Sequence, residues 1–135
     1  MRALKLSERS IDLRDYRLTE AHEKLDSAKI LLDNNRYKDS INRSYYALFD
    51  AIRSVLAMEN VDFKHHSQVI GYFNKNYIHT GKFDTKYVTV INSAFQIRNS
   101  CDYDDFYIAL RTDAEEQYCA AKEFVENVEK FISQK

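Results

Sequence analysis

Residues Arg36–Leu56, RYKDSINRSYYALFDAIRSVL, carry two different faces on one uninterrupted run. At about 100° per residue, Ile41, Tyr45, Leu48, Phe49, Ile52 and Leu56 fall on one side of a helix. Arg43, Tyr46, Asp50 and Arg53 form a second stripe, roughly a third of a turn away. No strand period of two fits this spacing. The pattern predicts a helix over 37–58, its aliphatic side in a core and its mixed side beside something polar.

The same reading extends in both directions. Leu18, Ala21, Leu25, Ala28 and Leu32 alternate at three and four, predicting a helix over 18–32 that Asp33-Asn34-Asn35 closes. The first fifteen residues are polar and read as an N-terminal arm or short helical lead-in. Residues 16–135 read as one domain. A weaker helix over 67–77 carries Val69, Ile70, Tyr72 and Phe73, entered through Lys64-His65-His66-Ser67 and left through a turn at Gly81. Two more are predicted over 84–99 and 113–132, the last with Tyr118, Ala121, Val125, Val128 and Ile132, and with Thr112 or Asp113 as its N-cap. The 135 residues include two glycines and no proline, too few turn formers for a β-rich domain. The expectation is all-α: an antiparallel up-and-down bundle of four to five helices.

Charge and cysteine content narrow the function. A net charge of −1 offers no global cationic footprint, so any contact with nucleic acid has to be local. No apolar run approaches the roughly 20 residues that span a bilayer, and the first residues lack a signal-peptide core. Cys101 and Cys119 make neither a disulfide framework nor a zinc site. A cytoplasmic protein with reduced thiols, without cofactor or metal and without membrane contact, is the expectation.

One charged pair stands on an unexpected face. Tyr87, Ile91, Ala94 and Phe95 share a stripe of the fourth helix; Arg98 falls within it and Asp102 nearly continues it. Arg98 therefore points towards the core or towards a partner. An Arg98–Asp102 brace at i,i+4 is one account, worth a few tenths of a kcal/mol if exposed. A guanidinium fork for phosphate oxygens is the other.

Together, INRSYYALFDAIRSVL (41–56), KHHSQVIGYFNKNYIHTGKFD (64–84), IRNSCDYDDF (97–106) and AAKEFVENVEKF (120–131) resemble HEPN domains, in particular a short stand-alone prokaryotic branch with an Arg-x-x-x-Asp-Tyr signature. The resemblance spans Leu18 to Phe131. It implies a helical bundle that dimerises around a composite cleft, and metal-independent RNase activity of the toxin type, with a small nucleotidyltransferase antitoxin as partner and RNA as substrate. In such a site an arginine stabilises phosphate charge, and a histidine four to six residues on moves protons. Carried over, the arginine is Arg98 and the following polar residue is Asn99. The histidine is absent: after four intervening residues stands Tyr103. Phenols ionise near about 10 and are poor general bases at neutral pH.

His66 aligns with a position the branch fills with histidine, and is the candidate stand-in; a capping or packing role is the plainer account. Catalytic candidates are thus Arg98, His66 and Tyr103. Arg43, Tyr46, Arg98, Asn99 and Asp102 are candidates for binding a nucleotide or phosphate. The alternative for the second-helix stripe is a solvated face with Asp50 paired to an arginine, Tyr45 being core. Tyr103 and Tyr107 are placed to stack on bases or to be modified. Cys101 reads as packing, and the aspartates of CDYDD as a helix end. The missing histidine keeps a second function open, a non-catalytic dimer that binds nucleotide or RNA or docks a partner. A third reading is a purely structural brace.

Overall fold

The computed structural model describes residues 2–134, with side chains from residue 8 onward. The described residues contain helices and no strand: α1 (Arg2–Asp33), α2 (Tyr37–Ala57), α3 (His66–Phe73), a π-helical turn (Asn74–Ile78), α4 (Lys86–Tyr103) and α5 (Arg111–Ser133). The all-α bundle is as expected.

α1 starts at Arg2 rather than near Leu18. Residues 2–17 hold leucine, arginine and glutamate and no glycine or proline, so nothing stops the helix from propagating outward. Asparagine, not glycine, closes the first two helices. Asn35 and Asn60 have φ of 63° and 57°. Around them Arg36 N–H donates to Leu31 O (2.8 Å) and Val61 N–H to Leu56 O (3.1 Å), the six-to-one bond of a Schellman motif. Two glycines suffice for this chain because asparagine tolerates the left-handed region.

α2 is the central element. Ala47, Leu48, Ala51, Ile52, Val55 and Leu56 are all buried on it. Against it α1 runs antiparallel: Ser40 Oγ donates to Ala28 O (2.8 Å) near the shared turn, and Arg17 Nη1 donates to Arg53 O (3.0 Å) at the far end. Asp50 pairs with Lys24 of α1, and Arg53 with Asp62 (2.7 Å). The pairing of Asp50 with an arginine, one alternative at sequence level, is therefore replaced by a lysine from the neighbouring helix. α5 packs against both α2 and α1 and brings Phe124 into a ring cluster with Phe73, Phe83 and Tyr87.

Three further boundaries differ from expectation. The helix expected over 67–77 divides into α3 and the π-turn, in which both Tyr77 and Ile78 are buried. α4 continues to Tyr103, so Asp102 lies inside the helix. α5 begins at Arg111 with Leu110 in the N-cap place; Asp113 Oδ2 reaches back to Leu110 N–H (2.9 Å). The residue expected as a cap thus acts from the third position, where a carboxylate also meets the helix dipole.

Candidate functional site

Three elements converge on one polar cluster. α2 supplies Tyr45 and Tyr46, the first turn of α3 supplies His66, and the second half of α4 supplies Arg98, Asn99 and Asp102. Tyr45 belongs to the core face and Tyr46 to the mixed stripe, so adjacent phenols straddle the edge of the core. The Asn60-terminated end of α2 and the 58–65 connection bring the chain back so that His66 stacks on Phe49, ring centroids 4.0 Å apart.

Arg98 is largely buried against these rings. Its guanidinium carbon sits 5.4 Å from the Tyr45 centroid and 5.2 Å from the Tyr46 centroid. Nη2 donates to Tyr46 Oη (2.6 Å) and Nη1 to Asn99 Oδ1 (3.2 Å). Nε lies 2.9 Å from Asp102 Oδ2, an ion pair by distance, yet its N–H has no aligned acceptor. Of the five guanidinium hydrogens, three have no aligned acceptor: that on Nε and one on each Nη. The Asp102 carboxylate stands at the Nε edge of the guanidinium, away from the two free Nη hydrogens.

His66 is coupled to the same aromatic floor. Its Nδ1 is 2.9 Å from Tyr45 Oη, and Tyr45 is only 1% exposed. A phenol this deep has to place its O–H proton on a partner. It therefore donates to Nδ1, and the neutral ring carries its proton on Nε2. Burial pushes the Tyr45 hydroxyl well above the usual phenol range, which keeps it a donor. Burial, then the positive charges of Arg98 and Arg53, push His66 below the ordinary histidine value, against a smaller opposite pull from Asp50. In the neutral state His66 therefore offers an N–H donor at Nε2 and no lone pair there.

This makes a pH prediction. A folded-state value below the unfolded one means the unfolded chain takes the proton first as pH falls, so stability is lost on the acid side. The urea midpoint should drop between about pH 7.5 and about pH 5.5, and His66→Gln should flatten that drop. Equal slopes in both proteins would mean the ring is not held neutral.

The remaining candidates lie apart. Arg43 is exposed one turn before Tyr46 on the same stripe and makes no side-chain bond or ion pair. Tyr103, at the end of α4, is 72% exposed and has no contact with Arg98. Tyr107 and Cys101 are half-buried, and burial raises both above their ordinary values, so neither is a ready nucleophile. Tyr45 is the residue that sequence reasoning assigned only to the core; the available signal was that a buried tyrosine hydroxyl requires a partner. No group of three or more metal-ligating side chains occurs among the described residues, and no helix among them is long and apolar enough to cross a membrane.

The chain is similar to known proteins over most of its length. Residues 15–131 match the family described as HEPN domain. A Thermotoga maritima protein named "UPF0332 protein" is 32% identical over 118 residues, covering 87% of this chain and 89% of that protein. A Methanocaldococcus jannaschii protein named "Putative toxin MJ0605" is 30% identical over 114 residues, 84% of each chain. A second protein of that organism, named "Putative toxin MJ0142", is 27% identical over 118 residues, 87% of this chain and 80% of that protein.

Proposed function

The chain belongs to the HEPN domain family, and from that premise we propose that it is a toxin-type member whose Arg98 cluster binds the phosphodiester backbone of RNA. One observation carries the reading: Arg98 is fixed over Tyr45 and Tyr46 with one hydrogen on each Nη uncommitted, and His66 is held by Tyr45 on the same floor. A phosphate on the free Nη hydrogens would also accept from His66 Nε2–H, beside the Asp102 carboxylate at Nε, while exposed Arg43 meets a neighbouring phosphate. Tyr103, open to solvent, stacks on a base. Two such chains form the working homodimer, and a small nucleotidyltransferase is the antitoxin partner.

A second reading has its own support. A histidine with Nδ1 occupied by a buried phenol cannot take a proton at Nε2 without losing that bond. Binding without cleavage follows from this arrangement, whereas cutting needs His66 to cycle through its charged form.

The test is RNA cleavage in EDTA together with equilibrium binding of the same single-stranded RNAs. Cleavage that His66→Ala abolishes establishes the RNase reading. Binding with no cleavage establishes the second, and Tyr45→Phe then tests the tautomer: freeing Nδ1 should change the pH profile of binding. Absence of both binding and cleavage over a panel of sequences rejects the two readings together.

A further inference from the structure

Two carboxylates pin the connection that carries His66. Residues 58–65 lead from the end of α2 to the first turn of α3, and residues 62–65 are all exposed. Glu59 accepts from Tyr72 Oη (3.1 Å) and from Tyr77 Oη, which ties the start of the connection to α3 and the π-turn. Asp62 Oδ2 accepts from two guanidiniums, Arg53 Nη2 of α2 (2.7 Å) and Arg17 Nη2 of α1 (3.2 Å). Asp62 Oδ1 accepts from Phe63 N–H (2.9 Å). Both oxygens are engaged, and Asp62 is the last ion-paired residue before His66.

Arg17 makes this more than a surface ion pair. Its side chain is 11% exposed, and its Nη1 donates to Arg53 O (3.0 Å). One guanidinium therefore joins α1, the last turns of α2 and the connection. Burial, then the charge of Arg53, lower Arg17 below the usual arginine value, against the opposite pull of Asp62. Against the upward push of burial, hydrogen bonds from Arg53 and Phe63 N–H, then the charges of Arg53 and Arg17, hold Asp62 below the usual carboxylate range. A carboxylate gripped by charged donors on two helices is confined far more than a loop residue whose partner is water.

We infer that Asp62, held by Arg17 and Arg53, is a positioning residue for His66. The shared carboxylate fixes the connection where His66 can reach Phe49 and Tyr45, so α1 controls a histidine it does not touch. α3 has eight residues, and its buried side chains begin at Val69. A helix this short does not hold its own first turn, which leaves that turn to the connection and to the His66 ring. The inference rests on the place of His66 in the proposed phosphate site only for its consequence in RNA binding; the positioning itself is read in the free protein.

The test is a proton NMR titration of the His66 ring in wild type, Arg17→Ala and Asp62→Ala, with circular dichroism to verify fold. Lys86→Ala, which breaks an exposed ion pair between α4 and α5, is the control. The charges acting on His66 are Arg98 of α4 and Arg53 and Asp50 of α2, Asp50 being paired with Lys24 of α1. Arg17 and Asp62 are not among them. Their removal reaches His66 through its position or through an Arg53 without its partner, and the two routes have opposite signs. An unpartnered Arg53 in an unmoved site lowers the His66 value further, whereas a ring released from burial and from Arg98 returns to about 6.5. The expected result is a rise towards that value in both variants and none in Lys86→Ala. The ring protons should also lose the upfield shift that stacking on Phe49 gives them. An unchanged or lowered value in both variants overturns the inference, as does a wild type that already titrates at about 6.5 or an equal rise in the control. A rise in Asp62→Ala alone overturns the part given to α1. Both variants should bind single-stranded RNA about tenfold more weakly, the loss of about one hydrogen bond. Unchanged RNA affinity with an altered His66 signal overturns the phosphate contact of His66 and leaves the positioning standing.

Discussion

Arg98→Ala is expected to weaken RNA binding about a hundredfold while leaving a folded bundle. A charge-assisted hydrogen bond contributes about 1.5–3 kcal/mol, and one such bond at the upper end or two at the lower amount to about 3 kcal/mol, which is about two decades in affinity. The variant removes both uncommitted Nη hydrogens at once. Arg98→Lys keeps a charge but not the planar fork, and should recover only part of the loss. Asp102→Asn should act in the opposite direction, because it removes the negative charge that stands beside the guanidinium in the free protein. Titration of a labelled single-stranded RNA at several salt concentrations reads all three. Arg98→Ala should also lower the salt slope by about one counterion. Unchanged affinity and slope in that variant would exclude Arg98 from phosphate contact and leave it a structural brace between α2 and α4.

Phe124→Ala should produce the largest loss of stability, about 3–5 kcal/mol. Phe124 is fully buried in α5 and is in ring contact with Phe73 (5.7 Å), Tyr87 (5.1 Å) and Phe83 (6.0 Å), joining α3, α4 and the connection between them to the last helix. Deleting the ring removes its transfer free energy and leaves a cavity whose aromatic walls cannot collapse far. A melting temperature lower by about 10 °C or more follows. Phe124→Leu, which fills most of the space, should lose much less. Calorimetry or urea unfolding decides this; a cost under about 1 kcal/mol would mean that the cluster repacks freely and does not join α5 to the rest.

The charged pair in α4 shows where sequence reading reached and where it stopped. Helical periodicity placed Arg98 on the inward stripe with Ile91 and Phe95, because that period is a local property of the chain. The i,i+4 spacing also anticipated the contact with Asp102. The hydroxyl of Tyr46, 52 residues away in sequence, is the better aligned acceptor, and no local pattern encodes a partner at that separation. α4 runs past its expected end for a related reason: Ser100, Cys101 and Asp102 are indifferent helix formers by propensity, and packing of Ile97 and Cys101 against Leu32, Ile41 and Ala114 carries the helix through them.

By itself the sequence determined the class of this protein. Absence of proline, scarcity of glycine and uninterrupted apolar stripes leave helices as the only economical way to satisfy the backbone, and the closure at Asp33-Asn34-Asn35 is a chemical signal within three positions. Four ordered motifs pointed to the family. The tertiary structure alone decided the composition of the site. His66 reaches Tyr45 because the connection after α2 turns at Asn60 and returns along the bundle, and the burial of Tyr45 then dictates which ring nitrogen holds the proton. Side chains within one helix turn are fixed relative to one another by local geometry, whereas those on separate helices are set by the packing of whole faces. That packing is a property of the assembled core and of no single segment.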